Sequence, residues 1–247
     1  MTYCLALRLD AGLVLLSDSL THEGLDVVGT YRKTHVRRPA EDRTFVLLSA
    51  GNLATTQQLL DLVDRDLAPG GRPDGSTLAT VDHLFEAALL IGAISRRITD
   101  DHRHGRSATG VDGTAAFILG GQVGDEPPGI IEIRPDGSYT HPSDAHPFLQ
   151  VGDGAYGKPT LDLGVHAGTG LGLAAKVGLA SMLASDEAHL SVGPPFDLTV
   201  YRAEDRRLVE HRIEGVSAYL DDLRTTWADG MRGVVATLPD LPLPLDG

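Results

Sequence analysis

The chain has 247 residues, 42% of them hydrophobic, enough for one large domain or two small ones. Lys and Arg number 21 against 34 Asp and Glu, and the net charge of −13 argues against a nucleic-acid or anionic-membrane surface. A single Cys leaves no intramolecular disulfide and no thiolate metal cluster. The start lacks a basic segment followed by an apolar one, and no apolar run reaches membrane-spanning length, so a cytoplasmic protein is expected. No Pro/Gly/Ser linker separates two cores, which favours one domain over residues 1–247. A C-terminal helix and a Pro-rich tail follow from about 215.

Thr2 to Arg8 reads as a strand, Asp10-Ala11-Gly12 turns it, and Leu13 to Ser17 returns as a second strand ending at Asp18. Lys33 falls in a short strand, Tyr31 to Val36. Arg43 to Ser49 reads as a buried strand, and Ala50-Gly51-Asn52 turns into a helix from about Leu53 to Leu67. After a surface loop at 69–75, a second helix is expected from about Leu78 to His102, with Val81, Leu84, Phe85, Ala88, Gly92 and Ile94 at helical spacing. Gly113 to Gly121 is a strand, and 130–134 with 139–141 makes a hairpin around Pro135-Asp136-Gly137. Phe148 to Val151 is another strand. Gly152-Asp153-Gly154 opens a helical region ending near Val165, and a helix spans about Leu171 to Leu183. Phe196 to Arg202 and Leu208 to Ile213 pair as strands. Val216, Tyr219, Leu220, Leu223, Trp227, Val234 and Val235 mark the last helix, and Pro239, Pro242 and Pro244 end it.

Strands thus cluster as hairpins and helices as pairs, unlike a doubly wound parallel sheet. The pattern fits an α+β chain of two antiparallel sheets packed face to face, with helix pairs outside.

The chemistry begins at the N-terminus. A small residue after the initiator Met usually permits its removal, which would make Thr2 the first residue. An N-terminal Thr carries nucleophile and base together: Oγ attacks and the free α-amine takes the proton, usually through a water. The amine's ordinary pKa of about 7.7–8.0 suits a base near neutral pH. Each neighbour has a blander reading when taken alone. Thr2 is a common second residue on a strand, Asp18 a strand-end turn residue, Lys33 a surface lysine beside Arg32, and Gly51 a helix-start glycine.

Met1-Thr2-Tyr3-Cys4, Ser17-Asp18-Ser19, Lys33 and Ser49-Ala50-Gly51-Asn52 together resemble the 20S proteasome β-subunit superfamily of N-terminal nucleophile hydrolases. Within it, Tyr156-Gly157-Lys158-Pro159 and Leu190-Ser191-Val192-Gly193 are most similar to the bacterial Anbu proteins. The resemblance covers Thr2 to about Val209. It implies a four-layer αββα sandwich and a threonine-type hydrolase that cuts peptide or isopeptide amides without a cofactor or metal. By that resemblance Thr2 is the nucleophile, Lys33 lowers its pKa, Asp18 orients Lys33, and the Gly51 N–H holds the oxyanion. Thr21 and Gly51 would flank a peptide bound as an added strand. The resemblance also implies a homo-oligomer, as a ring or an open helical washer. Family members sit in gene clusters with ATP-grasp and transglutaminase-like proteins.

The sequence departs from the superfamily at three places. Leu20 stands where Arg is usual. Gly152-Asp153-Gly154 stands for Gly-Ser-Gly, whose serine supports the amine, so Asp153 would bring a negative charge there, raise the amine's pKa and pair with it. The Asp and Ser that bracket the turn after the fourth helix map to Asp186 and to either His189 or Ser191. These departures motivate a rival reading, a weak or inactive self-assembling scaffold of the same fold. A plain HslV-like subunit is a third reading, disfavoured by the extra C-terminal segment.

Three motifs read as decoys. Gly152 to Lys158 fits G-x-x-x-x-G-K, but Pro159 follows where magnesium binding needs Ser or Thr. Gly168 to Gly172 precedes a helix yet follows no strand. Asp100-Asp101-His102-Arg103-His104 reads as a solvated helix end rather than a metal cluster.

Overall fold

The computed structural model describes residues 2–23, 27–71, 75–105 and 113–240. Met1, Pro242 and Pro244 therefore lie outside the described residues, as do the side chains of His22, Arg103 and His104. The strands are β1 (Tyr3–Leu9), β2 (Gly12–Ser17), β3 (Leu20–Glu23), β4 (Val27–Thr30), β5 (Thr34–Ala40), β6 (Arg43–Gly51), β7 (Ala115–Val123), β8 (Gly129–Ile133), β9 (Tyr139–Thr140), β10 (Phe148–Gly152), β11 (Phe196–Arg202) and β12 (Arg207–Ile213). The helices are α1 (Leu53–Leu67), α2 (Leu84–Gly105), α3 (Lys158–Gly164), α4 (Leu171–Ala188) and α5 (Ala218–Ala236).

Two five-stranded antiparallel sheets form the middle, in the orders β10-β1-β2-β11-β12 and β5-β6-β7-β8-β9. Strand alternation sorts β1 between two cores. Cys4 and Ala6 face the second sheet with Leu13, Leu15, Val46, Leu48 and Ile118. Leu5 and Leu7 face outward and are covered by Leu179, Met182 and Leu183 of α4 and Leu220 of α5. A third core lies under α1 and α2, where Leu59, Val63 and Ile91 pack on Phe45, Phe117 and Leu119. The layers therefore run helix, sheet, sheet, helix, the four-layer αββα sandwich. Fully burying each such side chain stabilises by about 1.5–3 kcal/mol. A strand buried on both faces reads as an unbroken apolar run, as β1 and β2 do.

The structure corrects several element boundaries. The second helix begins at Leu84, not Leu78. The Glu86 carboxylate accepts the N–H groups of Asp82 and His83 at 2.8 and 3.3 Å, satisfying the first turn there. Upstream, the Thr80 hydroxyl takes the Thr77 N–H at 2.9 Å and makes a local turn. Leu78 and Val81 are buried in the same core, which is why they mimic helical spacing. Phe85 does not join that face: it is 39% exposed and stacks on His83. The helical region after Gly154 starts only at Lys158, and the helix at Leu171 continues to Ala188. Val216 precedes α5 and is 97% exposed, while Val234 and Val235 at its far end are also exposed. The hairpin β3–β4 has no counterpart in the sequence expectations. Among the described residues no helix is long and apolar enough to cross a membrane.

Candidate active site

Thr2 sits at the head of β1, 9% exposed, and lines a cleft of about 190 Å³ with Leu20, Thr21, Tyr31, Lys33, Ala50, Gly51 and Leu53. Its backbone is gripped from the β10 side. The Asp153 N–H donates to the Thr2 carbonyl at 2.7 Å. Gly152 has φ +85°, and a Cβ there would lie 1.8 Å from the Thr2 carbonyl oxygen. A glycine is required at that position, a need the sequence reading did not assign.

Asp18 and Lys33 meet below Thr2. Lys33 Nζ donates to Asp18 Oδ1 at 2.8 Å and to the Leu20 carbonyl at 2.7 Å. Asp18 also accepts the Tyr3 N–H at 3.0 Å and the Leu20 N–H at 3.2 Å. Both charged side chains are buried, at 0% and 6% exposure. Burial pushes the Asp18 carboxyl above its usual range, while the Lys33 ammonium and the Tyr3 N–H pull it back. Lys33 lies just before β5 rather than within a strand. Its carbonyl is held by the Ser49 N–H at 3.0 Å, which fixes the segment beside β6.

Gly51 ends β6. The Ser49 N–H points away from β7, toward Lys33, and the Asn52 N–H points the other way, to the Thr114 carbonyl at 2.8 Å. Strand alternation therefore turns the Gly51 N–H away from β7, and Gly51 lines the cleft. Gly51 has φ +108°, and a Cβ there would lie 2.6 Å from the Thr114 carbonyl oxygen. The close approach that demands glycine is thus made by the chain's own backbone. Asn52 then caps α1, its side chain accepting the Thr55 N–H at 3.0 Å.

Cys4 is wholly buried, its Sγ–H aimed at the Ser49 carbonyl, and burial drives its thiol far above the usual range. It is a packing residue beside the site. The Tyr3 hydroxyl shares a hydrogen bond with Ser181 at 2.7 Å and accepts one from Gln150, and burial pushes it up to about 12.

The two carboxylates named as supporting residues have partners of their own. Asp153 Oδ2 lies 2.7 Å from His189 Nε2, and His189 Nδ1 lies 3.1 Å from the Ser191 hydroxyl. Asp186 Oδ2 accepts from Arg224 of α5 at 2.7 Å. Both pairings join residues far apart in sequence, and no local motif announced them. Among the described residues no group of three or more His, Cys, Asp or Glu is placed to hold a metal ion. His102 instead lies 3.3 Å from the Thr55 hydroxyl.

The four-layer sandwich, with Thr2 at a strand head over a buried Lys–Asp pair, defines the proteasome β-subunit type of domain. No protein-family model matches the chain, and no curated protein does. Solved structures do. Anbu from Hyphomicrobium sp. strain MC1 is 34% identical over 98% of this chain and 100% of that one, with TM-score 0.88. Anbu from Yersinia bercovieri, described as an ancestral beta-subunit, is 34% identical over 98% of this chain and 100% of that one, with TM-score 0.87. A structure of the helical assembly of the Anbu complex from Pseudomonas aeruginosa is 32% identical over 99% of this chain and 100% of its own, with TM-score 0.89. This chain belongs to the Anbu family.

Proposed function

We propose that the chain, as one N-terminal nucleophile domain, is a threonine hydrolase that cuts peptide or isopeptide amides once Met1 is removed. The observation that carries this reading is the buried Lys33–Asp18 pair directly beneath a cleft that Thr2 lines. Outside such a site a buried ion pair is costly and easily replaced by apolar residues.

Thr2 Oγ attacks the substrate carbonyl carbon while its proton passes to the α-amine. The Lys33 ammonium stabilises the developing charge on Oγ. The tetrahedral oxyanion takes the Gly51 N–H. The scissile C–N bond then breaks, the leaving amine takes the proton from the α-ammonium, and an acyl ester remains on Thr2. Water, deprotonated by the same amine, releases the acid. Thr21 and Gly51 flank the cleft, so an extended substrate would lie between them as an added strand. Amide ligation by the ATP-grasp and transglutaminase-like partners that the family resemblance implies would supply the isopeptide class of substrate.

The chain is also proposed to assemble with copies of itself, as the Pseudomonas aeruginosa relative does in its helical assembly. The exposed apolar residues of α5, among them Met231, Val234 and Val235, support that reading.

Intact mass after incubation with a peptide epoxyketone tests the catalytic reading, because that warhead needs both Thr Oγ and a free amine. Loss of Met1 with one adduct, abolished by Thr2→Ala, is expected. Retained Met1 would point instead to the scaffold reading.

A further inference from the structure

Beside Thr2 stands a line of three side chains with no part in the steps above. The β1–β10 ladder ends with Tyr3 opposite Gly152, and Thr2 and Asp153 lie just past it. The Asp153 N–H on the Thr2 carbonyl confirms the juxtaposition. That backbone contact sets Asp153 beside Thr2 at the end of β1, close enough for its charge to act on a newly freed Thr2 amine.

A carboxylate there acts against the chemistry. The amine must be neutral to accept the Oγ proton, and an adjacent negative charge holds the proton on it. The structure gives the carboxylate another partner. His189 Nε2 lies 2.7 Å from Asp153 Oδ2, and the two side chains are only 26% and 14% exposed. His189 is itself held by Ser191 at 3.1 Å and flanked by the Tyr156 ring, with centroids 6.2 Å apart. The Ser185 hydroxyl reaches the Asp153 carbonyl at 3.5 Å and ties the loop to α4.

Resting on the hydrolase reading, we infer that His189 is a positioning residue: it draws the Asp153 carboxylate away from the Thr2 amine and so keeps that amine available as a base. The other charges around the pair are matched elsewhere. Asp186, one turn before His189, is bound to Arg224 of α5, and Lys33 and Asp18 are bound to each other. Glu187 is exposed. Removing Asp153 or removing His189 should therefore move the amine's protonation in opposite directions.

The test measures the pH dependence of epoxyketone labelling from pH 5 to 10, by intact mass, on full-length protein lacking Met1. His189→Leu frees the carboxylate, so the acid limb should rise by about one pH unit, a tenfold change in the amine's protonation equilibrium. Asp153→Asn removes the charge, so the limb should fall below the wild-type position. His189→Gln keeps a donor toward Asp153 and should restore much of the wild-type profile. Shifts in the same direction, or a uniform loss of rate with the limb unmoved, would overturn the inference in favour of a packing role. In parallel, the pH dependence of N-terminal acylation by a small anhydride reads the amine directly. If wild type takes no epoxyketone adduct, the hydrolase reading fails, while the anhydride titration still decides whether His189 and Asp153 govern the amine.

Discussion

The ammonium of Lys33 is held by the main-chain carbonyl of Leu20 at 2.7 Å, so the side chain at position 20 is not what anchors it. The Leu that replaces the usual superfamily Arg therefore leaves the Lys33 geometry intact. Leu20 does line the cleft. Leu20→Arg should change apparent substrate affinity more than the maximal rate of labelling, and a saturation series separates the two. An equal collapse of both would show that position 20 serves the chemistry itself.

Removing one member of the buried Asp18–Lys33 pair leaves the other uncompensated. Lys33→Met should abolish labelling and destabilise the fold by about 3–5 kcal/mol. The double change Lys33→Met with Asp18→Asn should regain most of that stability in denaturant melts and none of the labelling. Recovery of neither would mean that the pair is not energetically coupled.

His35, after Lys33 on β5, is held to about 4 by burial first and by the nearby Arg37 and Arg32 next, with Asp64 and Asp197 opposing. Its Nε2 is buried with no hydrogen-bond partner. The unfolded chain binds a proton near the ordinary pKa of about 6.5, so between that value and about 4 it binds more protons than the folded one. The His35 contribution is therefore fully present above about pH 6.5 and lost as pH falls toward 4, roughly 3 kcal/mol in all. In His35→Phe, stability measured over that range should show a flatter slope. An unchanged slope would assign the acid sensitivity to other groups.

Gly51→Ala sets a methyl 2.6 Å from the Thr114 carbonyl at a φ of +108°. Strain of about 1–3 kcal/mol is expected. Displacing the N–H proposed to hold the oxyanion should cost about 10²–10³ in labelling rate. Gly152→Ala meets the Thr2 carbonyl at 1.8 Å and should impair Thr2 more directly. Wild-type labelling in both would remove the glycines from the proposed machinery.

Among the described residues the cleft is lined by Leu20, Ala50, Leu53 and Tyr31 with a few hydroxyls, and the one charged lining residue, Lys33, is a cation already paired with Asp18. A basic side chain entering the cleft meets that ammonium and, among the described residues, no lining carboxylate. Probes with Leu at the residue preceding the warhead should label faster than those with Arg, with about a tenfold difference for each 1.4 kcal/mol of lost desolvation. Equal rates would show that this cleft does not select.

Much of the fold was readable because local signals agreed with the final packing. Asn52 caps α1 where Ala50-Gly51-Asn52 announced a helix, and the apolar run of β1 is buried on both faces. The start of α2 was not readable, since Leu78 and Val81 keep helical spacing while the Thr77–Thr80 turn holds them outside the helix. The strands of the hairpin β3–β4 are four residues each, too short for a period to register. At the site, Thr2, Asp18, Lys33 and Gly51 were singled out by motif, and the structure brings them to one cleft wall and floor. The link from Asp153 to His189 and the link from Asp186 to Arg224 depend on how β10, α4 and α5 are stacked, which no short stretch encodes.

The grip on Thr2 through its carbonyl has a consequence for maturation. The Asp153 N–H and the close-packed Gly152 hold residue 2 from its C-terminal side, through strand pairing that the folded sheet already provides. Detaching Met1 would then be a deprotection rather than a refolding. On the proposed hydrolase reading, the pocket would be complete before that cleavage, and one broken peptide bond would arm it.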